Sequence, residues 1–232
     1  MNPAPPNDYI RAYMPERPVD PARSALLIID MQYATGSRQG ALARTLQAQG
    51  SSVGDYRFGR IEQQVLPHAQ ALRDRCSALG RPVLHVTVGA ALPDAADAPI
   101  HMRKLFVEFA NHLGSREHEI LDELKPRQGE HVLRKTTIGA FASTNIDSLL
   151  RALGCEQLYL CGISTNMCVE TTAREAADRG YLVTLVEDAC GTTHADLHEV
   201  TMRNFQRLFG RVRSTAQVLD EWVSPAAASA TD

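Results

Sequence analysis

A chain of 232 residues, 44% hydrophobic and 22% charged, is long enough for one domain with a substantial core, and its formal net charge of -3 gives no electrostatic case for nucleic acid or an anionic membrane surface. Five cysteines, an odd number without framework spacing, argue for reduced thiols and a cytoplasmic setting rather than a disulfide scaffold. No apolar run approaches the ~20 residues of a membrane span, and the N-terminal segment lacks the basic-then-apolar order of a secretion signal.

Six of the twelve prolines precede Arg23, so residues 1–23 read as an extended arm. Residues 24–222 read as one domain and residues 223–232 as a flexible tail. The run ALLIID at 25–30 is apolar without polar alternation, as in a strand buried on both faces. A long polar loop follows it. Apolar residues at helical spacing then predict a helix ending at Gly80, with Pro67 as a possible kink. PVLHVTV at 82–88 is the second strand, followed by loop and a helix near residues 117–124. HVLRK at 131–135 is the third. STNIDSLLRALG predicts a helix with a Thr144-x-x-Asp147 cap. QLYLCG is the fourth strand, MCVETTAREAADRG a helix ending at Gly180, YLVTLVED the fifth strand, HADLHEVTMRNFQRLF a helix, and GRVRS a last short strand. Strand and helix alternating, with near-continuous apolar strands, predicts a parallel sheet covered by helices on both faces. Ligands of such sheets lie beyond the carboxyl ends of the strands.

Three reactive groups follow strands: Asp30 after the first, Lys135 at the end of the third, and Cys168 after the fourth. A thiol in the first turn of a helix meets unpaired N–H groups and the positive end of the helix dipole. With an ammonium such as Lys135 nearby, its pKa is expected to fall from ~8.5 into the ~3.5–7.5 range. A neighbouring carboxylate could exchange its proton with a leaving amine.

The stretches LLIIDMQ, RKTTIGAFAST and LCGISTNMCVETTAREAADRGY resemble the three signature blocks of the isochorismatase-like cysteine hydrolases. The resemblance runs from Ser24 to about Val218. It implies a three-layer αβα Rossmann-like fold on a six-stranded, mainly parallel sheet, and a triad of Asp30, Lys135 and Cys168. It also implies a non-proline cis peptide between Ile163 and Ser164, with the Ser164 and Cys168 N–H groups forming an oxyanion hole. In motif the chain is most similar to the ureidoacrylate and biuret branch, and a homo-oligomer (dimer or tetramer) is expected.

Taken singly, each residue has a plainer reading: a core thiol for Cys168, a cap or turn for Asp30, a solvated lysine for Lys135. The motifs reverse that order. Cys76, Cys155, Cys161 and Cys190 keep the structural reading, as do Arg174 and Asp188, which could pair. Gln32, Phe141, Thr165 and Asn166 are candidate pocket residues, with turn or cap chemistry as the alternative for Thr165 and Asn166. The nicotinamidase branch binds zinc through an Asp-x-His pair followed by another His. Residues 85–104, HVTVGAALPDAADAPIHMRK, contain no such pair, so neither metal nor cofactor is expected. The sequence thus points to a metal-free amidohydrolase that cleaves a small linear amide or ureide through a thioester. Vinyl-ether hydrolysis, which needs no cysteine, and a non-catalytic binding module are the rivals.

Overall fold

The computed structural model describes residues 9–13, 17 and 19–223. Six strands form its centre: β1 (Ser24–Ile29), β2 (Val83–Val88), β3 (His131–Lys135), β4 (Gln157–Ile163), β5 (Leu182–Gly191) and β6 (Arg211–Arg213). Their order is β3-β2-β1-β4-β5-β6 and every pairing is parallel. The apolar strand runs explain this layout, because a parallel sheet buries both faces. Along β1, Ala25, Leu27 and Ile29 point into one core and Leu26 and Ile28 into the other, the period-two alternation of a strand. Edge strand β3 is less covered: Val132 and Arg134 are exposed while Leu133 and Lys135 are buried.

The helices are α1 (Tyr33–Gly36), α2 (Ala41–Ala48), α3 (Gly54–Arg60), α4 (Leu66–Ala78), α5 (Ile100–Glu108), α6 (Ile146–Ala152), α7 (Glu170–Asp178), α8 (Ala195–Leu208) and α9 (Thr215–Val223). Buried residues of α6, α7 and α8 build one core with the sheet, and those of α3, α4 and α9 build the other. This is a three-layer αβα fold. Gly162 permits the tightest strand contact. Its φ is 117°, and a Cβ there would stand 2.1 Å from the Ile29 carbonyl oxygen.

Several local expectations are corrected. The stretch after Asp30 is not a loop but carries α1, α2 and α3. α3 and α4 are joined through a π-helical turn at Ile61–Val65, directly before Pro67, whose missing N–H cannot continue the α ladder. The helix expected near 117–124 is instead two 3-10 turns, Arg116–His118 and Asp122–Leu124, and α5 lies upstream. At α6, Thr144 does accept from the Ile146 N–H (3.1 Å), but Asp147 turns away to Tyr181 Oη (2.8 Å). The proline-rich arm is not uniformly extended: Tyr9–Tyr13 and Pro21–Arg23 are 3-10 turns, and Val19 packs on the core. Residues 1–8, 14–16 and 18 of that arm, and residues 224–232 of the tail, lie outside the described residues. Among the described residues no helix is long and apolar enough to cross a membrane.

Candidate active site

The strand order reverses between β1 and β4, and a crevice opens at such a switch point beyond the strand ends. Asp30 leaves β1 with φ 51°, a left-handed conformation in which Asp is over-represented among non-glycine residues. Its Oδ2 accepts from Lys135 Nζ at 2.9 Å, and that ammonium also donates to the Thr137 carbonyl at 3.1 Å. Lys135 and Asp30 are 0% and 2% exposed. Asp30 Oδ1 is fully buried and has no hydrogen-bond partner. A buried carboxylate oxygen left open in this way is an acceptor in waiting.

Cys168 supplies the group that faces it. After β4 the Ile163–Ser164 peptide is cis, and the chain enters a π-helical turn, Thr165–Val169, before α7. The turn is seated where Val169 N–H and Met167 N–H both reach the Ser164 carbonyl. Asp30 and Lys135 are the two charged groups that act on the Cys168 thiol. The Ser164 N–H has no protein acceptor among the described residues.

The electrostatics differ from the sequence expectation of a thiolate. Burial, with Asp30 beside it, pushes the Cys168 thiol up to about 12, against the lowering effect of Lys135. Burial likewise raises Asp30 above its ordinary value, against Lys135 and the thiol. Burial alone would push Lys135 down, but Asp30 and Cys168 outweigh it and hold the ammonium raised. The resting site is therefore an ion pair beside a neutral thiol. A single π turn offers a few N–H dipoles, and these do not offset the removal of water.

The four candidate pocket residues have fixed partners. Gln32 is 1% exposed, and its amide is spent on β2 and the 3-10 turn at Arg116–His118: Nε2 donates to the His118 (2.8 Å) and Val88 (3.1 Å) carbonyls, and Oε1 accepts from Val88 N–H (2.8 Å). It braces the strand ends. Thr165 is fully buried, with Oγ1 3.0 Å from His198 Nδ1. Arg60 Nη2 lies 3.0 Å from the other ring nitrogen, and arginine can only donate, so the His198 proton sits on Nδ1 and points at Thr165. Burial and Arg60 push His198 down to about 4, which keeps it neutral. Asn166 is half-buried and its Oδ1 accepts from Thr192 Oγ1 at 2.6 Å. Phe141 packs in the core, 6.0 Å from the Tyr181 ring, with Arg179 over its face at 4.8 Å.

Sequence reasoning missed Arg57. It lies on α3, 3% exposed, with Nε donating to the Thr35 carbonyl and Nη1 to Ser164 Oγ, each at 2.8 Å. Nothing in the string GDYRFGR marks it, since Arg60 three residues on has the same local setting. Other charges settle into structural pairs. Arg174 binds Glu170 (2.6 Å) rather than Asp188, which accepts from the Thr215 N–H and hydroxyl. His85 bonds Glu130 at 2.8 Å. All five cysteines are free, and among the described residues no three His, Cys, Asp or Glu side chains converge to hold a metal ion.

The isochorismatase-domain family model matches residues 24–217. The chain is 31% identical to the secreted isochorismatase effector Isc1 of Verticillium dahliae over 192 residues, 80% of this chain and 93% of that protein. It is also 31% identical over 209 residues to the ureidoacrylate amidohydrolase RutB of Caulobacter segnis, covering 86% of this chain and 85% of that one. Among solved structures, an isochorismatase family protein from Desulfovibrio vulgaris superposes with a TM-score of 0.73 at 28% identity, over 87% of this chain and 99% of the other. With its six-stranded parallel sheet and matching family model, the chain belongs to the isochorismatase family of hydrolases.

Proposed function

We propose that this chain is a cysteine amidohydrolase that cleaves the C–N bond of a small linear amide or ureide through a thioester, releasing ammonia or an amine. The observation that carries the reading is the buried Asp30–Lys135 pair at 2.9 Å with the Cys168 thiol against it and Asp30 Oδ1 open. In the first step Sγ attacks the substrate carbonyl carbon while its proton passes to Asp30 Oδ1. The two form and break in concert, because a free thiolate is disfavoured in the resting site. The oxyanion falls to the Ser164 and Cys168 N–H groups. Each such donor contributes ~2.7–4 kcal/mol to lowering the barrier. Collapse expels the amine, which takes the proton back from Asp30. Water then attacks the thioester with Asp30 as base and restores the thiol.

Lys135 occupies Oδ2, which leaves Oδ1 as the free acceptor, and offsets part of the burial that raises the Asp30 carboxyl. Similarity to a ureidoacrylate amidohydrolase supports a ureide. The substrate preference is tested by ammonia release across ureides, biuret-like compounds, simple amides and nicotinamide, with kcat/KM highest for a ureide or linear amide. A higher kcat/KM for nicotinamide than for every ureide overturns that preference. Cys168→Ser should abolish turnover with the fold intact, and retained amide hydrolysis in it overturns the mechanism.

A further inference from the structure

One helix grips the turn that carries Cys168 at both of its ends. The turn, Thr165–Val169, is π-helical, a rare geometry that recurs at functional sites. At its first residue, His198 Nδ1 of α8 stands 3.0 Å from Thr165 Oγ1. Just past its last residue, Thr201 Oγ1 of α8 donates to Glu170 Oε2 at 3.3 Å. His198 and Thr201 lie at an i, i+3 spacing and share the buried face of α8. Thr165 is fully buried and His198 nearly so, which keeps bulk water from competing for their bond. His198 is oriented in turn by Arg60. That guanidinium is held on β5, with Nε donating to the Cys190 carbonyl at 2.8 Å and Nη2 to the Glu187 carbonyl at 2.9 Å. Nη2 also lies 3.0 Å from His198 Nε2, so the imidazole accepts there and donates from Nδ1. The hydrolytic steps use neither Arg60 nor His198. A buried polar chain of this kind specifies one geometry when every member is satisfied.

We propose that His198 is a positioning residue for the nucleophile: it holds Thr165, and through the turn it sets where the Cys168 thiol stands relative to the reacting carbonyl. The proposal rests on Cys168 being the nucleophile, whatever the bond it attacks. Thr165 directly follows Ser164 and precedes Cys168 by three residues, so a shift at Thr165 moves both the Ser164 N–H and the thiol. A misplacement of about 1 Å at a reacting group costs up to about 100-fold in rate. Arg60 acts one step further back, since it leaves the imidazole a single tautomer with which to face Thr165. The order of control therefore runs from the β5 carbonyls through Arg60, His198 and Thr165 to the turn.

Two reactions of Cys168 on the intact protein separate aim from access. Acylation by p-nitrophenyl acetate, read by p-nitrophenol release and by mass spectrometry of the Cys168 peptide, needs the thiol aimed at a carbonyl beside its oxyanion donors. Alkylation by iodoacetamide at about pH 9 needs only a reachable thiol. Thr165→Val keeps the shape and deletes the hydroxyl, and His198→Phe keeps a ring and deletes both nitrogens. Each should slow acylation and lower kcat for amides ~10–100-fold, with KM and alkylation changed by less than about threefold. His198→Asn, whose amide places an N–H at the Nδ1 position, should recover most of that loss. His198→Gln, which reaches only the Nε2 position, should not. The double variant Thr165→Val with His198→Phe should lose no more than either single, because the same bond is removed twice. A lowered Tm with acylation and kcat unchanged makes His198 a packing residue and overturns the proposal. Equal losses in acylation and alkylation, additive losses in the double variant, or an Asn variant no better than Phe overturn it as well. Should His198→Phe fail to fold, Thr165→Val against His198→Asn carries the same comparison. If acylation depends on His198 but no amide is hydrolysed, the positioning role stands and the amidohydrolase reading falls.

Discussion

Replacing Lys135 with Met removes the one cation bonded to the Asp30 carboxylate, at a place where both side chains are closed to water: 0% and 3% exposed, 2.9 Å apart. With Oδ1 already unpartnered, the variant would leave both carboxylate oxygens without a donor. Breaking a buried pair from one side costs ~3–5 kcal/mol. For a chain of this size that corresponds to a fall in Tm of ~6–20 °C. The loss has a pH signature. Lys135 is the largest influence lowering the Asp30 carboxyl, so its removal raises that carboxyl further above its ordinary value. A carboxyl whose folded pKa exceeds its unfolded value contributes stability that is full below the unfolded pKa and lost as pH rises through the folded one. The deficit should accordingly be smallest at acid pH and grow as pH rises through the raised value of the Asp30 carboxyl. Urea unfolding from about pH 4 to 8 measures it. Asp30→Asn combined with Lys135→Met should recover much of the loss, because no buried charge then remains. A deficit below ~1 kcal/mol, one independent of pH, or a double variant no more stable than the single, would refute the buried-pair account.

Two further expectations follow from the same geometry. Because burial and Asp30 hold the Cys168 thiol at about 12, its alkylation by iodoacetamide should rise about tenfold per pH unit between about pH 7 and 10 without a plateau; a thiol fully reactive near pH 6 would refute a neutral resting state. Gly162→Ala should lower stability by at least ~2 kcal/mol in chemical unfolding, since its Cβ would meet the Ile29 carbonyl at 2.1 Å in a φ of 117°; a neutral effect would refute the close β1–β4 approach.

Much of the fold was legible because its signals are local. Apolar runs without alternation at 25–30 and 157–162 mark strands buried on both faces, and that alone implies a parallel sheet with two helical layers. The three reactive groups were legible too. Asp30, Lys135 and Cys168 each end or follow a strand, and parallel strands deliver their carboxyl ends to one edge, so residues 105 positions apart meet at 2.9 Å. The stretch after Asp30 was misread although ALARTLQA is built mostly of strong helix formers, because a helix of eight residues among glycines and polar residues is too short to show a clear apolar period.

What the amino-acid order determined by itself was which side chains stand at the strand ends, a consequence of periodicity over a few residues. What only the tertiary structure decided was their environment. Gln32 is consumed by β2 and the 3-10 turn at Arg116–His118, Thr165 by His198, and the thiol is neutral rather than ionised. Arg57 reaches Ser164 across 107 positions of sequence. Desolvation and unpaired charge are sums over all neighbours in space, and a chain of letters contains no local term for them.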